Sequence, residues 1–169
     1  MKTMIFPMVL LMLLSMEVTA QKKKDKKRAG YTNDDYEITC AGIGVEGSKL
    51  ISISGFGKNP EEAMRSAKKN AMHGILFRGA FGDAGGCKGV KALVEDANAQ
   101  EKHEPYFSAF FQSGGNYLNY VSFANQASRQ VVKVDKKTYK VTIVASILYD
   151  KLRKDLEDAD IIKKLTHGF

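Results

Sequence analysis

The chain has 169 residues, 44% of them hydrophobic and 27% charged, which is one domain's worth of sequence and enough to bury a proper core. A formal net charge of +7 suggests a nucleic-acid footprint until it is divided along the chain. The run from Lys22 to Arg28 holds six positive charges and one negative, while Lys2 and Glu17 cancel, so residues 29–169 keep only +2. The net basicity therefore belongs to a short tail rather than a folded face, and the tail has no interleaved aromatics for base stacking on nucleic acid.

The N-terminus sets a basic Lys2 before a nearly unbroken apolar run, Met4 to Met16, followed by Val18-Thr19-Ala20 and Gln21. This is the three-part pattern of a secretory signal peptide, with small side chains where the peptidase reads. Thirteen residues rise about 20 Å as a helix, against about 30 Å of hydrocarbon in a bilayer, so cleavage after Ala20 is expected rather than anchoring. No later run is apolar enough to span a membrane, so no transmembrane segment is expected after cleavage. The first cysteine is Cys40, too far from the signal region to carry an N-terminal lipid, and no Asn-x-Ser/Thr acceptor occurs. The expected compartment is the periplasm or cell envelope of a Gram-negative bacterium, with the extracellular space as the alternative.

Residues 21–34 read as a disordered basic tail. Lys22, Lys23, Lys24, Lys26, Lys27 and Arg28 are either weak contacts to anionic envelope surfaces or simply a solvated linker. From residue 35 to 169 the pattern is that of a single α+β domain. Residues 36–43 alternate as a strand, Gly44 to Ser48 supply a turn, and residues 50–56 form the returning strand of a hairpin. Gly42-Ile-Gly44-Val-Glu-Gly47 matches the spacing of a dinucleotide fingerprint. A strand follows it where that motif needs a helix N-terminus, so it reads as a hairpin turn and no cofactor is implied.

Asn59-Pro60-Glu61-Glu62 is a helix start, and Ala63, Ala67, Ala71 and Ile75 give the helix a small-residue face that can lie close against a sheet, to a stop near Gly79. Residues 79–91 are glycine-rich loop containing Cys87. In an oxidising compartment Cys40 and Cys87 read as a disulfide, the alternative being two separate buried thiols. Residues 94–102 and 116–130 carry no clear pattern. Between them a second helix from Pro105 bears Tyr106, Phe107, Phe110 and Phe111 on one stripe and ends at Gly114-Gly115. That stripe is either core or a docking patch, with Tyr117 and Tyr120 the members expected to face a partner. Residues 131–134 and 139–148 read as a second hairpin around Asp135-Lys136-Lys137. A last helix from Asp150 turns Leu152, Leu156 and Ala159 inward. Hairpins at both ends predict an α+β fold: a mostly antiparallel sheet with helices packed on one face.

Site chemistry is thin. His73, His103 and His167 are not paired with other ligands at metal-binding spacing, and no nucleophile elbow or paired Cys-x-x-Cys occurs. His103-Glu104 reads as a helix-capping pair. No catalytic, cofactor or metal residue is assigned, and a secreted enzyme is the least favoured class.

The stretch Ile51-Ser-Ile-Ser-Gly55-Phe-Gly57, followed by Asn59 and then Ala63, Ala67 and Ala71, resembles the strand-to-alanine-helix unit of small envelope domains. It is similar to the N-terminal domain of the flagellar protein FlgT and to related small lipoproteins of Gram-negative bacteria. The chain also resembles a secreted family of Bacteroidota associated with curli-type secretion loci. The resemblance implies a non-enzymatic accessory or assembly component of the cell envelope with a protein partner. A ligand- or glycan-binding module is the alternative.

Overall fold

The structure, a computed structural model, describes residues 36–82 and 87–164. The signal peptide expected at 1–20 and the basic tail at 21–34 lie outside the described residues, as does His167.

Two antiparallel strands open the fold, β1 (Ile38–Ile43) and β2 (Lys49–Gly57). Ile38 faces Ile53 and Cys40 faces Ile51, but Gly42 faces Leu50, so Ala41 is an extra residue that bends the edge strand. The turn between them needs left-handed backbone at Glu46 (φ 52°) and Gly47 (φ 70°), and it is closed by the Ser48 amide donating to the Val45 carbonyl at 3.0 Å.

The first helix, α1 (Pro60–Phe77), starts as its sequence dictates. The Asn59 side chain accepts from the Glu62 amide at 2.9 Å, and the Glu62 carboxylate accepts in return from the Lys58 amide at 2.9 Å. Ala63, Ala67, Ala71 and Ile75 are fully buried. The helix sits directly on β2: a Cβ placed on Gly55 would lie 2.2 Å from the Ala67 nitrogen, and one on Gly57 would lie 2.3 Å from the Ala63 nitrogen. Glycine in the strand and alanine in the helix are two halves of one close approach.

After Gly79 (φ 76°) the glycine-rich stretch is better tied than its composition suggests. Ala80 and Val90 exchange backbone hydrogen bonds, Cys40 donates to the Phe81 carbonyl, and the Leu93 and Val94 amides donate to the carbonyls of Ile75 and Leu76 near the end of α1. Two helices follow, a single turn α2 (Ala99–Lys102) in a stretch the sequence left open, and α3 (Glu104–Phe111), which buries Phe107, Phe110 and Phe111. His103 stands at the cap position of α3 with φ −114° and ψ 34° and makes no side-chain cap bond, so the capping role expected of it is not realised. That backbone is already closing α2 and does not adopt the extended geometry a cap uses.

The second hairpin is larger than its pattern. Strand β5 (Tyr139–Ile147) pairs along its full length with β2, joining the two hairpins edge to edge. Its other edge carries two short strands in series: β3 (Val121–Phe123) opposite residues 145–147, and β4 (Gln130–Lys133) opposite residues 139–142. The whole is a five-stranded antiparallel sheet, and with its helices an α+β fold. Helix α4 (Tyr149–Asp158) buries Leu152 and Leu156. Ala159, expected inside, is exposed, because the helix ends at Asp158 and the chain reverses at Asp160 (φ 53°), which puts Ile161 and Ile162 against the core instead.

The core lies on one side of the sheet. Ile51, Ile53, Val141, Ile143, Ala145 and Ile147 alternate inward and are at most 1% exposed, packed with α1 and the aromatic side chains of α3 into one cluster.

Candidate functional site

The same alternation that fills the core populates the opposite face with polar groups. Thr39 on β1, Ser52, Ser54 and Phe56 on β2, and Lys140 and Thr142 on β5 all point away from the core side, in registers that place Thr39 opposite Ser52, Ser54 opposite Thr142 and Phe56 opposite Lys140. These side chains are half-buried. The Ser54 and Thr142 hydroxyls share a hydrogen bond at 2.8 Å, and the Lys140 ammonium stands 5.9 Å from the centre of the Phe56 ring, at the outer reach of a cation–π contact.

With Tyr36 and Glu37, where the chain enters β1, they line an open groove of about 540 Å³. Beyond Ile53, β2 outruns β1, and the buried Asn70 of α1 donates to the Ser54 carbonyl at 3.1 Å in the space β1 leaves. The groove is held from behind: the Tyr36 hydroxyl meets His73 Nδ1 at 2.7 Å, the other ring nitrogen meets Gln100 at 3.1 Å, and the Arg78 guanidinium lies 4.8 Å over the Tyr36 ring. His73 thus serves as a packing and hydrogen-bonding joint between α1, β1 and α2.

Chemically the groove offers hydroxyl donors and acceptors, the rings of Tyr36 and Phe56, one carboxylate and one ammonium. Among the described residues lining it there is no imidazole and no thiol, and the Ser54 and Thr142 hydroxyls bond each other. Such a set can hydrogen-bond and stack against a ligand. Among the described residues no group of three or more His, Cys, Asp or Glu side chains is arranged to hold a metal ion.

The residues singled out from sequence fall elsewhere. Cys40 and Cys87 are bridged, with Cα atoms 5.8 Å apart, and both are buried where β1 meets the loop after α1. Tyr117 is only 4% exposed and its ring packs 6.1 Å from that of Phe111, so it cannot present itself to a partner. The reason is the turn at Gly114-Gly115, which swings residues 116–119 back under α3 as a short 3₁₀ helix. Tyr120 is half-buried, donates to Asp155 on α4 at 2.7 Å, and lies beneath Lys151, 5.6 Å from its ring centre. Burial, then the Asp155 bond, pushes its phenol well above the ordinary tyrosine range. Both tyrosines fasten the aromatic layer to the fold. Lys22, Lys23, Lys24, Lys26, Lys27 and Arg28 lie outside the described residues. The groove residues were missed, although Lys140, Thr142 and Ser146 were visible as the polar half of an alternating strand. Comparison with protein-family models, curated proteins and solved structures returned no match to this chain.

Proposed function

We propose that the chain is an exported, non-enzymatic accessory or interaction protein of the cell envelope that works by contact through the uncovered face of its sheet. One observation carries the reading. A sheet packed on one side leaves its other face as a hydroxyl-rich groove, with two aromatic rings, a carboxylate and an ammonium but no imidazole or thiol among the described lining residues. The buried Cys40–Cys87 bridge supports an oxidising compartment, in line with the export signal read at residues 1–20. Among the described residues no helix is long and apolar enough to cross a membrane. The resemblance to envelope domains supports an assembly role, with a curli-type secretion system as the specific expectation, and the basic tail would add weak, salt-screened attraction to anionic surfaces.

The test is crosslinking in intact cells followed by affinity capture, with the parent chain, a Thr142→Arg variant that fills the groove, and a version lacking residues 22–28. The reading expects an envelope protein whose capture is lost with Thr142→Arg, while tail deletion weakens association at low salt and leaves the partner unchanged. No enriched envelope protein in any version, together with substrate turnover by the purified chain, would refute it. The hydroxyl and aromatic lining also favours a second reading, a glycan-binding module, for which retention on purified cell-wall glycan without any protein partner is the signature.

A further inference from the structure

The β4–β5 hairpin carries chemistry that neither the core nor the groove uses. Val131 and Val132, on a strand whose four residues are all exposed, and Val134 just beyond it are 43%, 56% and 54% exposed. Val131 pairs opposite Val141 and Val132 opposite Lys140, so the valines project to opposite faces of the sheet. Among the described residues β4 pairs with β5 alone. The Val134 amide donates inward to the Thr138 carbonyl at 2.9 Å, which fixes the phase of the ladder. By the alternation of an antiparallel pair, Gln130 and Val132 also turn their backbone groups to β5, whereas Val131 and Lys133 turn theirs outward. No proline blunts this edge between residues 130 and 134.

Charge decides what can pair with it. Arg129, Lys133, Lys136, Lys137 and Lys140 surround the valines, against one acid, Asp135, which is spent on the hairpin turn as acceptor for the Lys137 amide at 2.7 Å. A second copy presenting the same edge would set lysine against lysine, a repulsive arrangement. An extended segment with acidic side chains between apolar ones would find the opposite: outward backbone groups to bond, a valine on each face, and cations on both sides.

We propose that β4 is a docking edge for an extended acidic and apolar segment of a partner protein, which adds to the sheet as a further strand beside Gln130–Val134. The proposal rests on the contact-making reading above, but uses the outer edge of β4, which borders the groove at Lys140. It explains why an exposed strand and the residue after it keep three valines, which sheet edges ordinarily avoid.

The probe is a synthetic peptide of alternating Glu and Val, added to the isotope-labelled, disulfide-bonded chain and followed by amide shifts and hydrogen exchange. A peptide with Lys in place of Glu is the control. The expected result is slowed exchange at the Val131 and Lys133 amides with the acidic peptide only. Val131→Pro removes an outward donor while leaving the inward ladder at Val132, and it should weaken binding about tenfold. If that variant is misfolded, the pair Lys133→Glu and Lys136→Glu should weaken the acidic peptide and admit the basic one. Shifts confined to the groove, equal binding of both peptides, or dimerisation through β4 in sedimentation would each overturn the proposal. The peptide experiment uses purified protein and the capture experiment uses cells, so failure of this proposal and failure of the contact reading are told apart.

Discussion

Gly55 is where the fold is most tightly specified, and Gly55→Ala is its sharpest test. The added Cβ would sit 2.2 Å from the Ala67 nitrogen, 2.4 Å from the Ala63 oxygen and 2.7 Å from the Ala67 Cα. All three are helix backbone, so no side-chain rotation relieves them. Restoring van der Waals distance requires α1 to lift by about 1 Å, and a gap of that size forfeits roughly a quarter to a half of each contact's dispersion energy along the interface. Overpacking of this kind costs about 1–3 kcal/mol, sometimes more, and the gain of up to about 1 kcal/mol from replacing a flexible glycine does not offset it. We expect a net loss of about 2 kcal/mol, read as a lower urea midpoint at unchanged slope with the disulfide intact. Gly114→Ala is the companion measurement. Its Cβ would meet nothing within 4 Å, so only its φ of 73° opposes the change, at about 1 kcal/mol. A Gly55→Ala protein within about 0.5 kcal/mol of the parent would show that α1 does not rest on β2 at this distance.

Replacing Cys40 and Cys87 by Ser opens a link between residues 47 apart and should lower stability by about 4 kcal/mol in the chain-entropy model. A midpoint shift equivalent to less than about 1 kcal/mol would mean that the backbone bonds between β1 and Phe81 hold the edge unaided. Burial pushes the phenols of Tyr106, Tyr117, Tyr120 and Tyr149 upward, with Asp155 adding to the effect at Tyr120. The unfolded chain then ionises first, so the tyrosine contribution is complete below about pH 10 and is lost as pH rises above it. Lys69, pushed down by partial burial, acts in the opposite sense, so the tyrosine part is isolated by comparing urea midpoints of the parent and Tyr120→Phe across that range. An equally steep decline in both would remove Tyr120 from the account. Finally, the protein recovered from envelope material should begin at Gln21, and intact-mass analysis showing residues 1–20 retained would overturn the export argument.

What the sequence by itself determined is local. Asn59 to Glu62 specify a helix start because a short polar side chain, a proline and two acids satisfy the first turn whatever surrounds it. The alternation of residues 139–147 specifies a half-buried strand, and the apolar count of the first hairpin specifies its inward face. The Cys40–Cys87 pair was legible because two cysteines allow only one intramolecular bridge. Tertiary structure alone decided which elements meet. Periodicity cannot show that β5 pairs with β2 and carries β3 and β4 in series on its far edge, since edge choice depends on contacts distant in the chain. It also decided the fate of the aromatics: Phe110 lies on a legible helical stripe, but nothing in the sequence around Tyr117 marks it as core, and only the fold-back after Gly114-Gly115 puts it inside. The groove and the valine edge were invisible for the same reason. A polar face reads alike in sequence whether a helix covers it or solvent does, and a strand becomes an edge only when nothing is laid beside it.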